Sequence, residues 1–166
     1  MHLYWQSGHL RHSVRSINAR RCTNLTNSMT TFKEVGLEED ILQAIQDLGF
    51  ETPTPIQEKA IPQIIENQAD VLALASTGTG KTAAFGLPVA QKIDVSNNNV
   101  QAIILSPTRE LCRQISSDIA NYTKYRKGFR SISVYGGAPI QTQIRDLKRG
   151  AHVVIGTPGR VIDLIK

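Results

Sequence analysis

The sequence predicts an α/β fold in which a parallel sheet is flanked by helices. Three observations predict it. Short runs of consecutive apolar residues have the length of buried strands, amphipathic helical stretches alternate with them, and each run ends in a polar or glycine-rich turn. At 166 residues and 40% hydrophobic, the chain is long enough for one domain that buries about 70% of its unfolded surface, so no disulfide or structural metal is needed. Cys22 and Cys112 stand too far apart to form a metal-ligand pair or a disulfide framework, which points to a reducing compartment. No apolar run approaches the roughly 20 residues of a membrane-spanning helix, and a soluble protein without a membrane partner is expected.

Residues 1–28 hold Arg11, Arg15, Arg20 and Arg21, no acid and three of the four histidines, without apolar periodicity. They are expected to form a disordered leader that contributes nothing to folding. Two origins fit this composition: an organelle transit peptide, or upstream residues translated from a misplaced start with Met29 as the natural first residue. The second is preferred, which favours a cytoplasmic protein; the first would make it mitochondrial. The leader also holds most of the net charge of +5, so residues 29–166 are nearly neutral. Overall basicity therefore says little about partners, and any nucleic-acid contact has to come from local features.

From Glu38, the residues Ile41, Leu42, Ile45 and Leu48 share one helical face, and Gly49 provides the stop. Thr54 precedes Pro55 at a first helical position, and Ile56, Ala60, Ile61, Ile64 and Ile65 continue a second helix, with a bend expected at Pro62. A strand near Val71 to Ala75 and a helix from about Lys81 to Ile93 follow. Next come a strand near Ala102 to Leu105, a helix from about Arg109 to Lys124, and a strand near Ile132 to Tyr135. The chain continues with a helix from Ile140 to Arg149, a strand near His152 to Ile155 and a last helix after Pro158. Ligands of such sheets sit at the carboxyl ends of the strands. The four turns there, 76–80, 106–109, 136–138 and 156–160, are expected to line one extended site.

The most specific of these turns is Ala75-Ser76-Thr77-Gly78-Thr79-Gly80-Lys81-Thr82, between a strand and a helix. This is a phosphate loop: its glycines let backbone N–H groups curl around an anion, Lys81 can reach terminal phosphates, and Thr82 can ligate Mg²⁺. Upstream lies Gly49-Phe50-Glu51-Thr52-Pro53-Thr54-Pro55-Ile56-Gln57, which has two readings. Thr54 and Gln57 have the spacing of a capping box. Alternatively, Gln57 presents its amide to the N6 and N7 edge of adenine, with Phe50 stacked on the base.

These segments resemble the Q motif and motif I of DEAD-box RNA helicases, the latter in the form A-x-T-G-x-G-K-T. Phe32, seventeen residues before Gly49, falls where that family places an isolated aromatic. Pro107-Thr108-Arg109-Glu110-Leu111 resembles motif Ia, Gly136-Gly137 the family's GG turn, and Thr157-Pro158-Gly159-Arg160 motif Ib, all in order across 29–166.

The resemblance implies the partial N-terminal RecA-like P-loop domain of an ATP-dependent RNA helicase, incomplete at its C-terminus, with ATP and Mg²⁺ as cofactors. Phe50, Thr52, Gln57 and Ser76, Thr77, Gly78, Thr79, Gly80, Lys81 and Thr82 match the nucleotide positions, Lys81 and Thr82 being the catalytic ones and Thr82 the metal ligand. Pro107, Thr108, Arg109, Gly137, Thr157, Gly159 and Arg160 match positions that hold RNA through its backbone, independent of base sequence. Helix starts and arginines suit phosphates and sugars, which agrees. Read without the family, Arg109 is an ion-pair partner and Arg160 a solvated first-turn residue.

The 166 residues contain neither an Asp-Glu-Ala-Asp nor a Ser-Ala-Thr sequence, and a C-terminal RecA-like domain is expected in the full-length protein. This chain alone is therefore expected not to hydrolyse ATP, since phosphoryl transfer needs an oriented water and neutralised charge. The alternative is a stand-alone ATP- and RNA-binding module without turnover.

Overall fold

A computed structural model of the protein describes residues 14–18, 30–66 and 70–166. The elements run β1 (Val14–Asn18), α1 (Glu39–Asp47), α2 (Pro55–Glu66), β2 (Asp70–Leu74), α3 (Lys81–Lys92), β3 (Ala102–Leu105), α4 (Arg109–Tyr122), β4 (Ser131–Val134), α5 (Ile140–Lys148), β5 (Val153–Gly156) and α6 (Pro158–Ile165). Every described strand pairing is parallel, as the apolar runs predicted. The strands form two sheets, β1-β2 and β3-β5-β4. The chain divides into two compact units, residues 1–92 and 93–166.

The first unit departs from expectation at its start. Residues 14–18, placed in a leader without structure, form β1 and pair with β2 from Val14↔Asp70 to Asn18↔Leu74. The segment is Val-Arg-Ser-Ile-Asn, and its two β-branched residues suit a strand, but five residues are too few for a periodicity test. The remainder of the leader lies outside the described residues.

One core cluster of this unit is built by Ile56 and Ala60 of α2 and Ala84 of α3, with Ile64, Val71, Ala73 and Ala75 packed against them. Two helices and a strand thus converge just below the 75–82 turn. Pro62 and Pro88 both lie inside helices, α2 and α3. Each lacks the N–H for an i−4 bond, and only Pro62 was conspicuous in the sequence.

In the second unit, β5 is the central strand and is buried along its whole length. Coverage on both faces was expected for every strand, but β3 alternates. Ala102 and Ile104 are buried, whereas Ile103 and Leu105 are 53% and 47% exposed. One face of β3 is therefore covered and the other is not. Helix α4 packs on β4 and β5 through fully buried Cys112, Ile115 and Ile119. His152 is buried before β5, its Nδ1 accepting the Arg130 N–H at 3.0 Å, a contact that ties the start of β5 to the start of β4.

Candidate functional site

In the first unit, the turn after β2 wraps back on itself. Lys81 Nζ donates to the Ala75 carbonyl at 2.8 Å, and Thr79 Oγ1 donates to the Ser76 carbonyl at 2.8 Å. The backbone N–H groups of Ser76 to Gly80 find no acceptor among the described residues. Ser76, Thr77 and Gly78 are exposed, while Thr79, Gly80, Lys81 and Thr82 are half-buried. Unsatisfied N–H groups at the start of a helix, beside an ammonium group, form an anion-binding concavity.

The wall of this concavity is the start of α2. Thr54 Oγ1 donates to the Thr79 carbonyl at 2.9 Å, and Gln57 Nε2 donates to the Gly80 carbonyl at 3.1 Å. At its other end, Gln57 Oε1 accepts the Thr54 N–H at 2.9 Å. The capping-box contact is thus present, and the same amide also holds the turn. Gln57 is 3% exposed. Gly80 explains why no side chain is tolerated beside it: its φ is +81°, and a Cβ would run into the Gln57 amide. Phe50 lies near this helix start, its ring centroid 6.1 Å from that of buried Phe32. Thr52 is exposed.

In the second unit, the turns after β3, β4 and β5 are tied together by two arginines. Arg109, exposed at the start of α4, directs Nη1 to the Gly136 carbonyl at 3.4 Å. Arg160, in the first turn of α6, donates from Nη1 to the Ala138 carbonyl and to Gln143 Oε1, both at 3.0 Å. Neither simple expectation holds: Arg109 bonds a carbonyl rather than an acid, and the Arg160 side chain is only 13% exposed, with Asp163 at 4.0 Å. Gly137 sits where Arg109 passes, and a Cβ there would collide with the guanidinium.

Thr108 caps α4, its Oγ1 accepting the Leu111 N–H at 3.2 Å. Thr157 precedes α6 without a side-chain cap, and Pro107 and Gly159 are exposed. The first N–H groups of both helices, at Arg109 and Glu110 and at Gly159 and Arg160, find no acceptor among the described residues. Beneath them, Cys112 donates its thiol to the Ile155 carbonyl at 3.3 Å, and burial pushes that thiol pKa up, so it is a packing group and not a nucleophile.

The site residues expected from the sequence therefore fall into two groups. Phe50, Thr52, Gln57 and 76–82 lie in the first unit, and Pro107, Thr108, Arg109, Gly137, Thr157, Gly159 and Arg160 in the second. Two residues with site contacts went unmarked for such a role. Thr54 had been read only as a cap, and Gln143 carried no signal, being one glutamine in a polar helix.

Residues 54–166 match the profile of the DEAD/DEAH box helicase family. The chain is 49% identical over 137 residues to the DEAD-box ATP-dependent RNA helicase CshA of Geobacillus kaustophilus, an alignment covering 82% of this chain and 29% of that protein. It spans less than a third of the length of the curated relatives it matches. Among solved structures, a DEAD box protein from Methanococcus jannaschii superposes with a TM-score of 0.77 at 43% identity, covering 81% of this chain and 36% of that one. Dbp5 of S. cerevisiae, bound to RNA and ADP BeF3, superposes with a TM-score of 0.70 at 32% identity over 81% and 34%.

Proposed function

This chain belongs to the DEAD/DEAH box helicase family, and we propose that it forms the nucleotide-binding, RNA-contacting part of an ATP-dependent RNA helicase. The observation that carries the reading is the 76–80 turn, whose N–H groups lack acceptors while the Lys81 ammonium rests on the turn's own Ala75 carbonyl. A phosphate group offers Lys81 an opposite charge in place of a neutral carbonyl, which adds Coulomb attraction to the hydrogen bond.

In this reading, residues 76–81 hold the phosphates, Gln57 and Phe50 hold the adenine, and the Thr82 hydroxyl would hold Mg²⁺. The metal, when bound, neutralises phosphate charge. Gln57 spends one Nε2 hydrogen on the Gly80 carbonyl and one Oε1 lone pair on the Thr54 N–H, which leaves a second donor and a second acceptor site for a base on an amide that also holds the loop. Base binding is thereby linked to the shape of the phosphate loop. Thr52, beside Phe50 in sequence, belongs to the same nucleotide group. RNA-bound Dbp5 supports RNA as the partner, and the motif resemblance assigns its backbone contacts to Pro107, Thr108, Arg109, Gly137, Thr157, Gly159 and Arg160. Helix-start N–H groups and guanidinium edges suit phosphates.

Residues 29–166 are assigned to the RecA-like domain, which a second RecA-like domain of the full-length protein would complete. The 166-residue chain by itself binds nucleotide without turnover. A cytoplasmic location goes with this reading, and the Arg-rich leader is the ground for a mitochondrial one.

The test is ADP binding by calorimetry on the chain and on Lys81→Ala. Loss of about tenfold or more in affinity is expected, the worth of a charge-assisted hydrogen bond, with an unchanged circular dichroism melt. Equal affinities would remove the phosphate loop from the reading.

A further inference from the structure

The second unit contains a polar side chain that is almost wholly buried and belongs to none of the segments read as sites. Gln143 of α5 is 6% exposed and is the one buried residue of that helix. Both ends of its amide are used. Nε2 donates to the Tyr135 carbonyl at 3.1 Å, and Oε1 accepts from Arg160 Nη1 at 3.0 Å. The same nitrogen donates to the Ala138 carbonyl at 3.0 Å. Arg160 is therefore held by two acceptors, one of them a side chain whose own position is fixed by the backbone at the end of β4.

Burying a primary amide as the one buried residue of a helix costs free energy unless its bonds are made. Here it is spent on orienting a guanidinium. Arg160 Nε is buried and makes no hydrogen bond, its nearest acid being Asp163 Oδ2 at 4.0 Å. Nη1 is fully engaged. Nη2 makes no hydrogen bond among the described residues and is not one of the fully buried polar atoms, which leaves it the uncommitted donor of the group. A guanidinium is planar, so fixing Nη1 also fixes the direction of Nη2.

We propose that Gln143 is a positioning residue, which sets Arg160 in the pose that presents Nη2 to an RNA phosphate. This rests on the assignment of Arg160 to the RNA contact, and the experiment separates the two. The chain is titrated with single-stranded oligouridine RNA at several salt concentrations, as the wild type, Arg160→Ala, Gln143→Met, Gln143→Glu and the Arg160→Ala/Gln143→Met double variant. Melting temperatures are measured alongside.

Arg160→Ala lowers affinity about tenfold, the size of one charge-assisted hydrogen bond, and reduces the slope of log K against log salt by about one. Gln143→Met, equal in length but without donor or acceptor, produces most of that loss in the wild-type background and none in the Arg160→Ala background. Gln143→Glu keeps an acceptor for Arg160 while setting a carboxylate against the Tyr135 carbonyl. It loses melting temperature but retains affinity within about twofold, well inside the cost of one such bond.

Unchanged binding by Arg160→Ala would overturn the RNA assignment and this proposal with it. A loss with Arg160→Ala but not with Gln143→Met would overturn the positioning role alone. So would a Gln143→Met loss of equal size in both backgrounds, which marks a purely structural residue.

Discussion

Replacing Gly80 by Ala tests how the phosphate loop is held. Gly78 and Gly80 both have positive φ, +76° and +81°. Alanine at either position takes a left-handed conformation that costs about 1–2 kcal/mol. The two differ in their surroundings. A Cβ at Gly78 meets nothing within 4 Å, whereas one at Gly80 collides with the Gln57 amide, with Thr54 Oγ1 at 3.4 Å. Gly80→Ala must therefore displace Gln57 from the Gly80 carbonyl and strain its bond to the Thr54 N–H. At ~0.5–1.5 kcal/mol per hydrogen bond, the two add ~1–3 kcal/mol. Gly80→Ala should cost that much more than Gly78→Ala in urea melts followed by circular dichroism. In a Gln57→Ala background the excess should vanish, because its cause has been removed. Equal costs for the two alanines in the wild type would refute the clamp between α2 and the loop.

Two further predictions concern stability. Deleting residues 1–28 removes β1 from its pairing with β2 and should lower the melting temperature by a few degrees, about 2–4 °C per kcal/mol lost; an unchanged melt would mean that β1 adds nothing. Burial raises the pKa of Asp118 above its usual 3.8, so its contribution to stability is fully present below that value and is lost as pH rises through the folded-state pKa. Asp118→Asn should consequently stabilise the chain at pH 7 and make no difference at pH 3, as read by paired thermal melts, and a stabilisation of the same size at both values would contradict the burial argument. Tyr122, four residues on, is raised by burial and then by the Asp118 charge; the same substitution removes the second cause.

The elements legible in the sequence were those whose own residues decide their state. Helix α4 carries Ile115 and Ile119 on one face, and its start near Arg109 was predicted and found, with Thr108 seen in the structure as its cap. Strand β5 is a continuous apolar run because both its faces are covered. Strand β1 was not legible, because its stability comes from β2, more than fifty residues away, and its own five residues bear no period.

The same division holds at the site. The phosphate loop announced itself by glycine and lysine spacing within eight residues. For Gln57 the sequence left capping and base recognition both open, and the structure shows the cap while adding the Gly80 contact, a link across 23 residues that no local pattern encodes. Gln143 was missed for the same reason: its meaning lies in Tyr135 and Arg160, on either side of it in the chain.

The most direct test of the central claim is the ratio of ADP to GDP affinity, measured by calorimetry on the chain and on Gln57→Ala. The account predicts a preference for ADP that falls to near unity in the variant, with weaker ADP binding and a folded domain. An adenine preference that survives Gln57→Ala, with only melting temperature lost, would mean that Gln57 caps α2 and braces the loop without reading the base.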